Sequence, residues 1–314
     1  MRLFVSYLYS FFMNSHSAPP RRTFFELLQS AQADSRPVIL DGATGTELDN
    51  RGADTSSPLW SGMAALADPD LLRAVHRDYV AAGAEVITAN TFRTTRWAFL
   101  RSGVDGELWS EAVAAAVAIA REAAGDTALV AGSVAPIEDC FLPDKAPGYD
   151  AAVEAHTLLC RALVSAGVDI LWLETFGTLA ELRGAIDAAC AAGCDKVPFC
   201  VSVTTTAAGD LISGEPLRDA VHLAASAGAA AFSINCIPTG HVPPALAQLL
   251  GNTTLPVGVY ANLGVPEVHQ DWRGSAYLAP EAYAELTTHW AVAMVGGCCG
   301  STPAHIAALA GIYR

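Results

Sequence analysis

The chain has 314 residues, 52% of them apolar and only 16% charged, with 18 Lys and Arg against 32 Asp and Glu for a formal net charge of −14. That composition supplies a sizeable core and excludes a largely disordered chain, while the acidic balance excludes a nucleic-acid or anionic-membrane partner, both of which require a basic face. No stretch approaches the roughly 18 apolar residues of a membrane span, and eight cysteines are too few for a disulfide scaffold in a chain this long.

Residues 1–21 are expected to stand outside the fold. Leu3–Met13 is a short apolar run behind a single Arg2, similar to a weak export signal but without a small-x-small cleavage site. Asn14–Arg22 reads as a connector, and Met13 marks an alternative start. The folded unit is therefore expected over 22–314, as one domain.

From Pro37 onward, short apolar runs alternate with longer helical segments. The runs are Val38–Asp41, Glu85–Asn90, Ala128–Ser133, Asp169–Glu174, Val197–Val203, Ala229–Asn235, Leu255–Tyr260 and Ala291–Gly296. They are near-continuously apolar, as parallel strands covered on both faces must be. Between them, Asp68-Pro69 reads as an N-cap with proline in the first turn, and Gly83 as the stop. Thr178 and Glu181 have capping-box spacing, Asp150 and Gly167 bracket another helix, and Thr302-Pro303 opens the last. His76 and Arg77 are expected on a solvated face of the outer ring, and His305 in the first turn of the final helix. Eight strand–helix units predict a single (β/α)₈ TIM barrel. A doubly wound open sheet is the alternative, but no Gly-x-Gly-x-x-Gly follows the first strand.

In such a barrel, polar residues at the C-terminal strand ends belong to the active site. Strand 1 ends in Asp41-Gly42, strand 2 in Asn90-Thr91-Phe92, strand 4 in Glu174-Thr175, strand 6 in Asn235-Cys236 and strand 8 in Gly296-Gly-Cys-Cys-Gly300. Carboxylates, amides and three thiols thus converge on one rim. Strands 6 and 8 are separated by one strand, so Cys236, Cys298 and Cys299 can approach a common point. Three thiolates suit Zn²⁺ and leave its fourth corner open, the arrangement of a catalytic site. The glycines around Cys298 would let consecutive residues turn toward one ion. A buried vicinal or redox pair, with Cys236 unrelated, is the other reading these residues allow. Cys140, Cys160, Cys190, Cys194 and Cys200 read as small buried hydrophobes.

The segments Asp41-Gly-Ala-Thr-Gly-Thr-Glu-Leu, Asn90-Thr-Phe, Glu174-Thr-Phe, Asn235-Cys236 and Gly296-Gly-Cys-Cys-Gly-Ser-Thr-Pro-Ala-His305 resemble the homocysteine S-methyltransferase family. So do Leu59-Trp-Ser61, His76-Arg-Asp-Tyr79 and Ser213-Gly-Glu-Pro-Leu217, so that the likeness runs over about 36–312. The resemblance implies one Zn²⁺ held by Cys236, Cys298 and Cys299, and methylation of the homocysteine sulfur to give methionine. It implies that Asp41 and Glu174 bind the amino group, with Asn90, Thr91 and Asn235 as further substrate-binding candidates. The single-domain length points to a sulfonium donor, S-methylmethionine or S-adenosylmethionine, for which Trp60, Phe92 and Phe176 are candidate aromatic contacts. A selenocysteine or other small-thiol methyltransferase is the alternative. A metal-free barrel lyase would need a cationic side chain near the strand ends, and Lys145 and Lys196 follow no strand; a non-catalytic zinc-binding barrel would hold metal without turnover. Three free thiolates imply a reducing cytoplasm. Ala261 within Tyr260–Gly264, and the approach His289–Met294 to strand 8, depart from the family pattern on the donor side.

Overall fold

The computed structural model describes residues 21–193, 196–263 and 278–314. The N-terminal extension apart from Arg21, together with Cys194 and Gly264, lies outside the described residues. Each apolar run forms a strand: β1 (Val38–Ile39), β2 (Val86–Ala89), β3 (Leu129–Val134), β4 (Ile170–Phe176), β5 (Phe199–Val203), β6 (Ala231–Pro238), β7 (Val257–Asn262) and β8 (Met294–Gly297). The helices are α1 (Phe24–Ala33), α2 (Thr44–Asn50), α3 (Ala64–Ala67), α4 (Pro69–Ala82), α5 (Arg96–Ser102), α6 (Leu108–Ala124), α7 (Tyr149–Ala166), α8 (Leu179–Gly193), α9 (Leu217–Ser226), α10 (Val242–Leu250), α11 (Pro280–Thr287) and α12 (Pro303–Tyr313).

The strands pair in parallel in the order β1-β8-β7-β6-β5-β4-β3-β2. The ring closes where Leu40 bridges Val86 and the Glu85 amide donates to the Ile39 carbonyl at 2.7 Å. This is the (β/α)₈ barrel that the alternating runs predicted. Strand β1 is shorter than expected because the Asp41 side chain turns across the seam: its carboxylate accepts from the Thr88 amide at 2.7 Å and the Thr88 hydroxyl at 3.1 Å. At the outer end of the same seam, Glu85 accepts from the Ile39 amide at 3.1 Å while Arg36 grips it at 2.8 Å.

Alternate strand residues face inward and outward. Ile170 and Trp172 join the cluster inside the barrel, whereas Leu171 and Leu173 pack outward among the helices. Helix α1 begins with a capping box between Thr23 and Glu26 and buries Phe24, Leu27 and Ala31 in the interior cluster. Cys298 packs on that same cluster.

The helix ends follow the expected chemistry. The Asp68 side chain caps α4 at the Leu71 amide, and Gly83 ends it with φ of 108°. Thr302 and His305 form a reciprocal box at α12, so His305 is a capping residue. The box expected at α8 is half formed: the Glu181 amide donates to Thr178 Oγ1 at 3.4 Å, but the Glu181 carboxylate turns instead to the Ile137 amide at 2.8 Å. The expectation for His76 is corrected. It is fully buried, on the stripe of α4 that also carries Leu72, Val75 and Tyr79, and burial pushes its imidazole down to about 4. Its position four residues after Leu72 assigns it to the core face. Arg77, on the other face, is exposed and pairs with Glu122.

The glycines of strand β8 serve close packing. A Cβ on Gly296 would lie 2.7 Å from the Leu40 Cβ and 2.9 Å from the Asp41 carbonyl, and one on Gly297 would lie 2.4 Å from Ser301. The turn beyond the thiols falls instead to Gly300, at φ of 84°.

Candidate active site

The strand ends surround a cavity of about 930 Å³, at the upper end of the range for small-molecule sites. At its floor the sulfurs of Cys236, Cys298 and Cys299 all lie within 4.8 Å of one another, with Cys236 and Cys299 3.8 Å apart. Four ligands at about 2.3 Å on tetrahedral corners stand roughly 3.8 Å from each other, so the thiols present fit a tetrahedral metal ion. The Cys298 thiol lies below its ordinary value because the Cys236 and Cys299 thiols donate to it, and Cys236 is correspondingly held high.

Asp41 and Glu174 line the same floor. Ser133 Oγ donates to Glu174 Oε1, and the Tyr260 hydroxyl donates to Oε2 at 3.3 Å while accepting from Trp172 Nε1 at 2.9 Å. Burial pushes the Asp41 carboxyl up to about 7 against its two bonds from Thr88. Burial pushes Glu174 up to about 8 against the Ser133 bond. Among the described residues no cationic side chain pairs with either acid. A site built this way favours a ligand that brings its own positive charge.

The remaining candidates divide. Asn90 lines the cavity and makes two bonds to Ser61, at 3.0 and 2.7 Å. Thr91 and Asn235 lie behind the wall. Thr91 Oγ1 donates to the Ser133 carbonyl at 2.9 Å. Asn235 Oδ1 accepts from the Thr175 amide at 3.1 Å and from Ser202 Oγ at 2.6 Å, and its Nδ2 donates to Thr175 Oγ1 at 2.8 Å. These bonds tie two residues in left-handed backbone, Thr175 at φ of 66° and Cys236 at 55°, conformations that strain a residue with a side chain, a β-branched threonine above all. Each lies within a break in strand register, in β4 and β6, and the left-handed step re-aims Cys236 out of the ladder toward the other thiols.

Trp60 and Phe92 line the cavity with ring centroids 6.2 Å apart. The indole of Trp60 packs onto Gly45, where a Cβ would lie 2.2 Å from the ring. Phe176 is buried against His156, 5.5 Å away, and is a core residue. Cys160 and Cys200 are buried as expected and Cys190 is half-buried, while Cys140 is buried yet borders the cavity. Thr88, Ser133, Trp172, Tyr260 and Arg93 were not singled out in the sequence. Ser133 and Tyr260 end the third and seventh apolar runs, so the rule that selected Asp41 and Glu174 applies equally to them.

A closed parallel barrel with three convergent thiols and two buried acids at its C-terminal mouth defines a class, the barrel enzymes with a sulfur-ligand centre able to hold a soft metal. The comparisons narrow it. The homocysteine S-methyltransferase family model matches residues 38–313, and the chain belongs to that family. It is 34% identical over 294 residues to the homocysteine S-methyltransferase of Escherichia coli (strain K12), covering 87% of this chain and 94% of that one. Against the homocysteine S-methyltransferase YbgG of Bacillus subtilis (strain 168) it is 29% identical, covering 88% and 94%. The metallated form of the homocysteine methyltransferase MmuM from Escherichia coli superposes with a TM-score of 0.77 at 30% identity, covering 91% of this chain and 99% of that chain. No helix among the described residues is long and apolar enough to cross a membrane.

Proposed function

We propose that the protein transfers a methyl group from a sulfonium donor, S-methylmethionine or S-adenosylmethionine, to the sulfur of homocysteine, giving methionine, with Zn²⁺ on Cys236, Cys298 and Cys299. The observation that carries this reading is the three-sulfur cluster beside two buried carboxyls that, among the described residues, pair with no cationic side chain, at the floor of one cavity. Zn²⁺ at those sulfurs would supply a Lewis acid that removes the proton of an incoming thiol and keeps its sulfur nucleophilic.

The protein's own groups do the rest. Three anionic cysteine ligands keep electron density on the acceptor sulfur. Asp41, fixed by Thr88, and Glu174, fixed by Ser133 and Tyr260, accept hydrogen bonds from the acceptor's ammonium group. Both bonds are charge-assisted and worth roughly 1.5–3 kcal/mol each, and they set the distance from ammonium to sulfur that selects the acceptor. Asn235 holds the backbone that aims Cys236. The donor enters from the outer half, where Trp60 and Phe92 present aromatic surface to a sulfonium cation. The new carbon–sulfur bond forms at the acceptor as the donor's methyl–sulfur bond breaks, the donor departs as a neutral thioether, and the acceptor's proton passes to solvent. Holding both reactants in line supplies roughly 7–11 kcal/mol of the barrier. The three reduced thiols call for a reducing compartment, the cytoplasm.

The test is metal content after anaerobic purification, followed by methionine formation from homocysteine with each donor in turn. About one zinc per chain and turnover with a sulfonium donor are expected. Cys298→Ser should lose both metal and methyl transfer while keeping the barrel's circular dichroism; full activity in that variant would refute the zinc–thiolate mechanism.

A further inference from the structure

The cavity lining includes a guanidinium that the acceptor's chemistry does not use. Arg93 follows β2 on the loop that carries Asn90 and lines the cavity half-buried. Its Nη1 donates to the Glu138 carbonyl at 2.7 Å and its guanidinium lies 5.3 Å from the centre of the Phe92 ring. Among the described residues it has no carboxylate partner. Arg101, farther out on the same wall, is paired with the Glu138 side chain, which also accepts from Trp97 Nε1 at 3.2 Å. The backbone under Arg93 packs closely on Gly62, where a Cβ would lie 3.0 Å from the Arg93 carbonyl oxygen. A guanidinium held by the Glu138 carbonyl, partly desolvated and without a carboxylate partner among the described residues, is arranged to receive an anion from the cavity.

We propose that Arg93 anchors the α-carboxylate of an amino-acid substrate in the outer half of this cavity. The inference rests on the reading that an amino-acid thiol and a sulfonium donor meet here. The acceptor and a methionine-derived donor both carry the required carboxylate. Position favours the donor: Asp41 and Glu174 engage the acceptor's head at the buried floor, whereas Arg93 lies beside Phe92 on the route in. Anchoring there selects sulfonium donors with an amino-acid head over simple alkyl sulfonium ions.

Equilibrium binding to the zinc-loaded protein tests this without requiring turnover. One pair of probes is S-methylmethionine and trimethylsulfonium, of which only the first has a carboxylate; the second pair is homocysteine and 3-mercaptopropylamine. Arg93→Gln should weaken the carboxylate-bearing member of one pair roughly 10- to 100-fold and leave its carboxylate-free partner unchanged, and Arg93→Lys should recover part of the loss. The affected pair identifies the source of the carboxylate. Unchanged binding of all four probes, or equal weakening of both members of each pair, would overturn the proposal. Wild-type protein that binds as described but forms no methionine would instead overturn the methyl-transfer reading and leave Arg93's role standing.

Discussion

Asn235→Ala tests whether the metal centre depends on a side chain that touches neither metal nor cavity. The substitution removes three buried hydrogen bonds, to the Thr175 amide, Thr175 Oγ1 and Ser202 Oγ. Each is worth about 1 kcal/mol net, and leaving the Thr175 amide buried without a partner costs about 1–3 kcal/mol more. The expected destabilisation is therefore on the order of 4–6 kcal/mol. Against a typical stability of about 5–15 kcal/mol, the variant stays folded at 25 °C with a clearly lower urea midpoint. The same bonds tie the left-handed residues Thr175 and Cys236 across β4 and β6, so their release lets Cys236 relax away from Cys298 and Cys299. Loss of such a supporting bond typically weakens metal affinity about 10- to 100-fold, measurable by competition with a chromogenic chelator. Asn90→Ala is the control: it loses two bonds to Ser61 on the far wall and should lower stability with zinc affinity intact. Wild-type zinc affinity in Asn235→Ala would refute the argument that this amide aims the ligand.

Two further outcomes follow from the site and its seam. Glu174→Gln should raise the KM for homocysteine roughly 10-fold or more with zinc retained, since a neutral amide replaces a charge-assisted bond; unchanged homocysteine kinetics would remove Glu174 from the site. Burial acts to raise the Glu85 carboxyl, but the Arg36 bond, the Ile39 amide and the Arg36 and Arg314 charges outweigh it and hold the group below its ordinary range. A depressed carboxyl contributes stability above its unfolded value that is lost as pH falls through its folded value. Glu85→Gln should therefore flatten the decline of thermal midpoint between about pH 5 and 3, and an unaltered decline would show that this pair does not govern acid stability.

The fold was legible because a parallel barrel imposes one demand on every strand, a short apolar run, and the eight runs were found with ends shifted by a few residues. Ring order followed chain order, so Cys236 at the end of β6 and Cys298 after β8 could be expected at one mouth. Contacts made by side chains across the ring were not legible. Nothing local couples Asn235 to Thr175, sixty residues apart, or turns Asp41 onto Thr88. His76 differs for a simpler reason: its place on the Leu72, Val75 and Tyr79 stripe decides its face, and its polarity does not. Arg93 carries no such local signal, because it stands on the loop beyond the run Glu85–Asn90 and not at its end. The glycines of β8 read as hinge residues, but at Gly296 and Gly297 the requirement is room for Leu40, Asp41 and Ser301.

The barrel is stoppered at the end opposite its chemistry. Phe24 of α1 meets Trp172 edge to face at 6.2 Å, Trp172 meets Tyr260 at 6.3 Å, and the Tyr260 hydroxyl reaches Glu174. A column of rings thus runs through the interior from the first helix to the carboxylate of Glu174. Drawing that cork would let water rise along the axis beneath Glu174 and dissolve the dry setting that raises its carboxyl. A chain shortened past Thr23 would then fail at the mouth although every residue of the mouth was intact.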